Sequence, residues 1–254
     1  MRNLATLATA TLLGCTAFAQ PATPPPTPLD PERPATTKDA TITLTGKVEA
    51  GFTYNRKGSK DDYSEFGTQV RLNVNRRTEV RILVPGYSWG TRGSRGSTDG
   101  FGDAGISLKT KLQSASGGAP AIALAVGTTI PVGHPRIGEG GFSPSITGSF
   151  QWDASTFAYI VNFGYFYKAN KGAPYGGTKL SALVQYTTDS DWQIFAELVS
   201  NISLNRSRKR NENSVGLGLT FFVGEKFTID ASFTQKLNGP YPNYVLGTGV
   251  AFKF

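Results

Sequence analysis

Long segments of alternating apolar and polar residues dominate the chain from residue 41 onward. In residues 104–112, Ile106 and Leu108 fall on one parity, whereas Lys109 and Lys111 fall on the other. The same alternation recurs in residues 44–54, 66–75, 214–223, 227–234 and 244–254. Successive side chains of a β-strand point to opposite faces, so a period of two predicts strands with one apolar and one polar face. No window shows the 3.6-residue period of an amphipathic helix, which predicts an all-β fold.

The length of these segments separates two kinds of all-β protein. Strands of soluble proteins average about 5–6 residues, whereas a tilted strand needs about 9–11 residues to cross a bilayer. The alternating segments here are close to the second length. Only one face of such a strand meets lipid, so a modest apolar content of 39% is expected. The sequence predicts a transmembrane antiparallel up-and-down β-barrel.

The order of the connections supports a barrel of about twelve strands. The predicted strands are residues 43–54, 63–75, 78–86, 101–112, 119–130, 143–152, 157–168, 178–187, 191–202, 213–223, 227–236 and 244–254. Connections after odd-numbered strands are long, and those after even-numbered strands are mostly short. Bacterial barrels have an even number of strands, short periplasmic turns and longer external loops. Both termini are therefore predicted to be periplasmic.

Aromatic residues are expected at both rims of this barrel. The periplasmic rim would carry Trp152, Phe157, Tyr186, Trp192, Phe252 and Phe254, and the external rim Tyr54, Tyr63, Phe66, Tyr165, Tyr167 and Tyr244. Bilayer interfaces favour amphipathic aromatic rings. The last strand ends on Phe254, and its alternation resembles the signal that the bacterial outer-membrane assembly machinery reads. That machinery is a predicted partner.

The first 19 residues have the layout of a secretory signal peptide. Arg2 precedes an apolar run from Leu4 to Leu13, and Ala17-Phe18-Ala19 is a cleavage site of the small-x-small type. The alternative is a lipoprotein box that ends at Cys15, in which case Cys15 is lipidated. Cys15 is the only cysteine, so cleavage after Ala19 leaves no disulfide and no cysteine metal site.

Residues 20–42 are predicted to form a separate periplasmic tether ahead of the barrel at 43–254. Seven prolines lie between positions 21 and 34, and such a segment has few backbone donors and little apolar bulk. A semi-stiff, polyproline-like spacer is the expected form. A ligand for a proline-binding module is the alternative.

Residues 100–152 carry a family resemblance. Gly102-Asp103, the pair Lys109 and Lys111, the segment 119–126 and Pro131-Val132-Gly133 occur in this order. This pattern resembles the outer-membrane barrels of the phenol-degradation meta-pathway (MetA) type. The resemblance is clearest over residues 100–152 and extends over 44–254. It implies an outer-membrane channel for aromatic or other small hydrophobic compounds, and it carries no site residue.

The inward parity of the barrel supplies candidate lumen residues of both charge signs. They are Lys47, Glu49, Gln69, Arg71, Arg81, Lys109, Asn162, Glu197 and Asp230. One interpretation is a polar conduit whose charges set selectivity for a small solute. The alternative is a salt-bridged, sealed lumen in a structural or lipopolysaccharide-contacting barrel.

The net charge of +8 is concentrated in the predicted external loops. The densest run contains Arg206, Arg208, Lys209 and Arg210. A basic exterior fits the phosphates of lipopolysaccharide or attracts anionic solutes. A solvated loop without a ligand is the alternative. Export to the outer membrane argues against nucleic acid as the partner, and no nucleic-acid-binding pattern accompanies the run.

Enzyme chemistry is not expected. His134 is the only histidine, and it lies in a loop between prolines and glycines. A Ser-His pair needs a rigid frame. Gly86-Tyr87-Ser88-Trp89-Gly90 has the Gly-x-Ser-x-Gly spacing, but no helical period follows it, so it is not expected to form a nucleophile elbow. No Asp or Glu cluster surrounds His134 in the sequence. The prediction is a protein without catalytic residues, metal or cofactor.

Overall fold

The computed structural model describes residues 34–57, 61–92, 97–169, 174–188, 191–205, 208–240 and 242–254. The predicted signal peptide, Cys15 and tether residues 20–33 lie outside these ranges. Within them the strands are β1 (Lys47–Lys57), β2 (Asp61–Asn75), β3 (Thr78–Arg92), β4 (Gly100–Phe101), β5 (Ala104–Gln113), β6 (Ala121–Ile130), β7 (Ser143–Ala154), β8 (Phe157–Lys168), β9 (Tyr175–Thr187), β10 (Trp192–Asn205), β11 (Arg208–Val223), β12 (Phe227–Asn238) and β13 (Tyr244–Lys253). No helix among these residues is long and apolar enough to cross a membrane.

Twelve long antiparallel strands close on themselves. Strand β1 pairs with β2 on one side and with β13 on the other, so that Lys47 lies opposite both Arg71 and Lys253. The two-residue strand β4 pairs only with β3. It continues along β3 the pairing that β5 makes with the earlier part of the same strand. Closure leaves no long strand with an unpaired edge, as lipid requires of a spanning sheet. The prediction of an antiparallel barrel of about twelve strands is confirmed.

Several strands extend further than the alternation predicts. Strand β3 continues to Arg92, whereas residue 86 was expected to end it. The predicted basic loop is also shorter than expected, because three of its residues belong to strand β11. In that strand Arg208, Lys209 and Arg210 pair with Asn205, Leu204 and Ser203 of β10. Arg206 lies outside the described residues. Beyond the lipid both faces of a hairpin are wetted, so its residues are polar on both parities and the period of two disappears.

Burial is inverted relative to a soluble protein. Leu108 is 47% exposed, whereas its neighbour Lys109 is 1% exposed. The same contrast separates Leu198, at 51%, from Glu197, at 4%. Apolar side chains thus cover the outside of the barrel and charged side chains fill the inside, which is the pattern of a barrel surrounded by lipid.

Aromatic side chains cluster at the strand ends. At the end with the short turns, Phe157 and Tyr186 have ring centroids 5.0 Å apart, and Trp192 lies 4.6 Å from Phe221. At the end with the longer loops, the rings of Tyr54 and Tyr244 lie 6.3 Å apart. We call these the short-turn end and the long-loop end. Strand β1 begins and β13 ends at the short-turn end.

Residues 34–46 cross the interior of the barrel. We call this segment the lumen strap. Its residues Thr37 and Ala40 are 3% and 0% exposed. Ala40 packs with Ala121 and Ala123 of β6, and Ala35 packs against β8, β9 and β10. Residues 34–42 were expected in a periplasmic tether, so the structure corrects that part of the assignment. The physical reason is that polar side chains of the lumen bind the backbone of this segment.

The barrel closes next to the strap. The Phe254 backbone N–H donates to the Gly46 carbonyl at 3.0 Å. The Phe254 ring lies against Gly46 so closely that a β-carbon at position 46 would collide with it. A side chain at position 46 would therefore require the Phe254 ring to move from this place.

Candidate functional site

The structure places the predicted lumen residues on the inner face of the barrel. Eight are buried: Lys47, Glu49, Arg71, Arg81, Lys109, Asn162, Glu197 and Asp230. Gln69 is half-buried and lines a cavity described below. Of the predicted basic loop, Arg208, Lys209 and Arg210 begin β11 at the long-loop end. The contacts of these side chains inside the lumen are described next, because they bear on whether a solute could pass.

A network of four charged side chains lies on β1, β2 and β3. Arg71 bonds Glu79 through Nε at 3.2 Å and through Nη2 at 3.1 Å. Arg71 Nη1 also contacts Glu49 Oε1 at 3.2 Å, and Arg81 Nε contacts Glu79 Oε1 at 2.6 Å. Their side chains are 7% exposed or less. The two-pronged contact of Arg71 with Glu79 fixes both side chains, so this part of the wall is rigid and electrically balanced.

Glu197 of β10 binds the first part of the strap. The backbone N–H groups of Thr36 and Thr37 each donate to Glu197 Oε2 at 3.0 Å. The Thr37 hydroxyl group donates to the same oxygen at 3.1 Å. A buried carboxylate needs such donors, because a charge without partners in a protein interior is costly. The strap therefore supplies the hydrogen bonds that this lumen carboxylate needs.

The side-chain amide of Asn162 on β8 binds both the backbone N–H and the backbone carbonyl of Lys38 in the strap. Its Oδ1 accepts from the Lys38 backbone N–H at 2.6 Å, and its Nδ2 donates to the Lys38 carbonyl at 2.7 Å. This pair reproduces the hydrogen bonds that a neighbouring strand would make. Further along, Gln151 accepts from the Ala40 N–H at 2.9 Å. These hydrogen bonds are made to backbone groups of the strap, so they do not depend on which side chains the strap carries.

The strap ends on two charged residues of the opposite wall. Asp39 accepts a hydrogen bond from Lys109 Nζ at 2.7 Å, with side chains 7% and 1% exposed. The Thr43 N–H donates to Glu79 at 2.7 Å. The strap therefore reaches from β10 across the interior to β3 and β5. Its contacts occupy the short-turn part of the lumen.

A loop that follows β6 turns toward the other end of the lumen. We call residues 131–142 the outer loop. Asp103 binds it through both carboxylate oxygens, which accept from the N–H groups of Gly133 at 2.9 Å and Glu139 at 2.7 Å. Glu139 forms an ion pair with Lys168 of β8. A β-carbon at Gly133 would lie 2.7 Å from Asp103 Oδ1. The Gly-Asp and Pro-Val-Gly segments of the family resemblance thus form one clasp.

Removing the Asp103 carboxylate is expected to release the outer loop. Hydrogen bonds to a charged group contribute about 1.5–3 kcal/mol each, so Asp103→Ala should speed amide hydrogen exchange at Gly133 and Glu139 by roughly tenfold or more. Asp103→Asn keeps a single acceptor oxygen and should protect only one of the two amides. Exchange measured by NMR in detergent micelles tests this. Unchanged exchange in Asp103→Ala would refute the clasp.

Two cavities lie against the wall of the barrel. The first, of about 290 Å³, is bounded by Gly51, Gly67, Glu65, Ser88 and Ile137, among others. The second, of about 240 Å³, is bounded by Gln69, Arg81, Ser107, Gly127, Phe166 and Lys168, among others. Leu83 borders both. We call the two cavities together the chamber.

His134 takes part in the loop structure. Its N–H donates to the Phe101 carbonyl at 2.8 Å, and its Nδ1 accepts from the Arg136 N–H at 3.2 Å. In the part of the chain that the structure describes, no group of three His, Cys, Asp or Glu side chains is arranged to hold a metal ion. The contacts of His134 account for its place in the outer loop.

The sequence patterns missed two features of the site. The strap residues from Thr36 to Thr43 show no period that marks them as part of a barrel. The Asp103 clasp joins residues 30 and 36 positions apart. Glu79 was assigned to the inward parity but not chosen as a lumen candidate, although it joins the charged network to the strap. The inward parity of a charged residue was the available signal for Glu79.

Comparisons with known proteins agree with this architecture. The sequence model of the family described as "Putative MetA-pathway of phenol degradation" matches residues 32–254. An outer membrane channel from Pseudomonas putida F1 has a similar structure, with a TM-score of 0.65 and 12% identity over 84% of this chain and 97% of that chain. No curated protein sequence matches this chain significantly.

Two porin structures are also similar to this barrel. The KdgM porin, solved with disordered oligogalacturonate, gives a TM-score of 0.59 at 9% identity and covers 82% of this chain and 99% of its own. The NanC porin gives a TM-score of 0.59 at 12% identity and covers 82% of this chain and 100% of its own. At these identities the likeness is one of fold.

Proposed function

The chain belongs to the family of the MetA pathway of phenol degradation, and from this premise we propose that it is a passive outer-membrane channel for small solutes, including aromatic and other small hydrophobic compounds. The single observation that carries the proposal is the chamber, which holds open volume inside a barrel whose outer face suits lipid. A lumen packed for stability alone would fill this volume with side chains. The function is transport without catalysis.

The small and charged residues of the lining support a conduit more than a structural core. The chamber is bounded by small residues such as Gly51 and Gly67, which face each other on β1 and β2. Arg81 and Lys168 border the second cavity. Channels use such inward charges to select among solutes. The KdgM porin, a barrel of similar fold, was solved in complex with disordered oligogalacturonate, which supports the proposal.

Single-channel recording in planar bilayers tests the proposal. Purified protein is expected to give defined conductance steps with a reproducible ion selectivity. Protein that inserts, shown by heat-dependent mobility on electrophoresis, but conducts no current would favour the second candidate function. That candidate is a structural or lipopolysaccharide-contacting barrel with a sealed lumen. The strap is the observation that favours it, because its backbone binds Glu197, Asn162 and Glu79 across the lumen.

A change of one lumen charge should change selectivity. Arg81→Gln removes a positive charge that borders the chamber. In water a unit charge about 10 Å from an ion is worth about 0.4 kcal/mol, which is a factor of about two. The cation-to-anion permeability ratio, measured from reversal potentials in a salt gradient, should therefore rise roughly twofold. Arg76→Gln, in the exposed β2–β3 turn, is the control and should have a smaller effect. Equal ratios for Arg81→Gln and the wild type would place Arg81 off the path.

The membrane and its components are the proposed partners. The proposed location is the outer membrane, with the short-turn end and both barrel termini in the periplasm. The basic start of β11, with Arg208, Lys209 and Arg210, would then face outward toward lipopolysaccharide phosphates. The alternation of β13 up to Phe254 is proposed as the signal for the assembly machinery.

A further inference from the structure

We infer that the chamber is a binding site for a small ring compound that carries one carboxylate, with the carboxylate in the second cavity and the ring toward the first. This inference rests on the proposed function in that the ligand would be a transported solute. It goes further by naming the solute's chemistry and its orientation.

The size of each cavity suits a single ring. The second cavity holds about 240 Å³, which about eight water molecules occupy in the liquid. The first cavity is of similar size, at about 290 Å³. Pockets for drug-sized ligands begin at about 300 Å³ and extend to about 1,000 Å³. Each cavity therefore has room for a single ring.

The walls of the chamber suit a flat apolar body. Leu83 lies on the inward parity of β3, yet it is 42% exposed because it borders open volume. Phe166 and Ile137 contribute two further apolar walls. Gly51 pairs with Gly67 in the first cavity, and Gly127 borders the second. Stretches of wall without side chains let a ring lie against the peptide planes.

The charges fix the orientation of the ligand. Arg81 and Lys168 border the second cavity together with the amide of Gln69. The first cavity instead contains Glu65, which accepts a hydrogen bond from the Ser88 hydroxyl group at 3.4 Å. A carboxylate in the second cavity would share the Arg81 guanidinium group with Glu79, which contacts its Nε at 2.6 Å. In the first cavity it would be repelled by Glu65. The ring carboxylate should therefore point its charge toward Arg81.

Gly67 allows the chamber to be filled by a single substitution. No atom lies within 4 Å of a β-carbon built at Gly67, so a side chain there starts in the open volume that Gly67 borders. Gly67→Phe places a ring in the first cavity. Thr68→Phe adds the same side chain to the neighbouring position, on the lipid-facing parity of β2. This second variant is the matched control.

Isothermal calorimetry with purified barrel in detergent and sodium benzoate tests the site. The wild type should bind benzoate more tightly than acetate, which lacks the ring. Gly67→Phe should weaken benzoate binding by about tenfold or more because the volume is filled, and Gly67→Ala should weaken it less. Thr68→Phe should bind as the wild type does. Arg81→Gln should weaken benzoate by about tenfold to a hundredfold, while uncharged benzyl alcohol loses little.

The outcomes separate the binding site from the channel. Conductance steps without benzoate binding would overturn the site and leave the channel. Benzoate binding that Gly67→Phe abolishes, in protein that conducts no current, would support the site and overturn the channel. Equal benzoate affinity in Gly67→Phe and the wild type would also overturn the site. Heat-dependent mobility on electrophoresis verifies that each variant is folded.

Discussion

Deleting residues 34–43 is expected to raise the single-channel conductance several-fold. These residues form most of the strap, whose backbone is held by Glu197, Asn162 and Glu79 across the short-turn part of the lumen. Without them, water and ions take the place of the segment. Planar-bilayer recordings of the deletion variant and the full chain at the same salt concentration measure the change.

A milder variant distinguishes a movable strap from a fixed one. Glu197→Gln keeps the length of the side chain but removes the charge that accepts from Thr36 and Thr37. Charged hydrogen bonds contribute about 1.5–3 kcal/mol each, so the variant should show more frequent transitions between closed and open levels. Identical recordings from the deletion variant and the full chain would mean that ions do not pass the strap.

Replacing Arg71 by Met is expected to destabilise the barrel by about 3–5 kcal/mol. Arg71 is completely buried and lies between Glu49 and Glu79. Methionine fills much of the volume of arginine but leaves two buried carboxylates without the cation between them. Removal of one partner from a buried ion pair is far more costly than the pair is worth. Urea unfolding followed by tryptophan fluorescence measures the loss.

An exposed ion pair provides the comparison. Arg56 contacts Asp62 at 2.7 Å near the long-loop end, with side chains 35% and 41% exposed. Exposed pairs contribute little because water screens them, so Arg56→Met should leave the free energy of unfolding nearly unchanged. A loss for Arg71→Met as small as that for Arg56→Met would show that water reaches the charged network.

Alternation predicted the barrel because the lipid and the lumen impose opposite demands on neighbouring residues. Leu108 and Lys109 illustrate these opposite demands, because the apolar side chain lies on the outer face and the charged side chain lies on the inner face. The inward parity therefore identified Arg71, Lys109 and Glu197 as lumen residues before any geometry was known. The same pattern could not show which of them touch. The contact of Arg71 with Glu79 depends on the register of β2 with β3, in which Arg71 lies opposite Arg81.

Segments that do not alternate between apolar and polar residues could not be assigned from the sequence pattern. The strap makes contacts across long sequence separations, such as the 160 positions between Thr37 and Glu197. Its proline-rich flank made a tether the natural prediction, because prolines remove backbone donors. The part of the β10–β11 hairpin at the long-loop end was not predicted, for a different reason. Lys209 and Leu204 are paired there, but water on both faces removes the selection for alternation.

The strap also determines the order in which this protein must fold. It precedes β1 in the chain, yet its partners belong to β3, β5, β7, β8 and β10. The most distant of them, Glu197, is made long after the strap has left the ribosome. Contacts between distant residues form slowly because a long loop must close first. The strap is thus synthesised before every strand of the barrel, yet it is among the last segments to reach its final position.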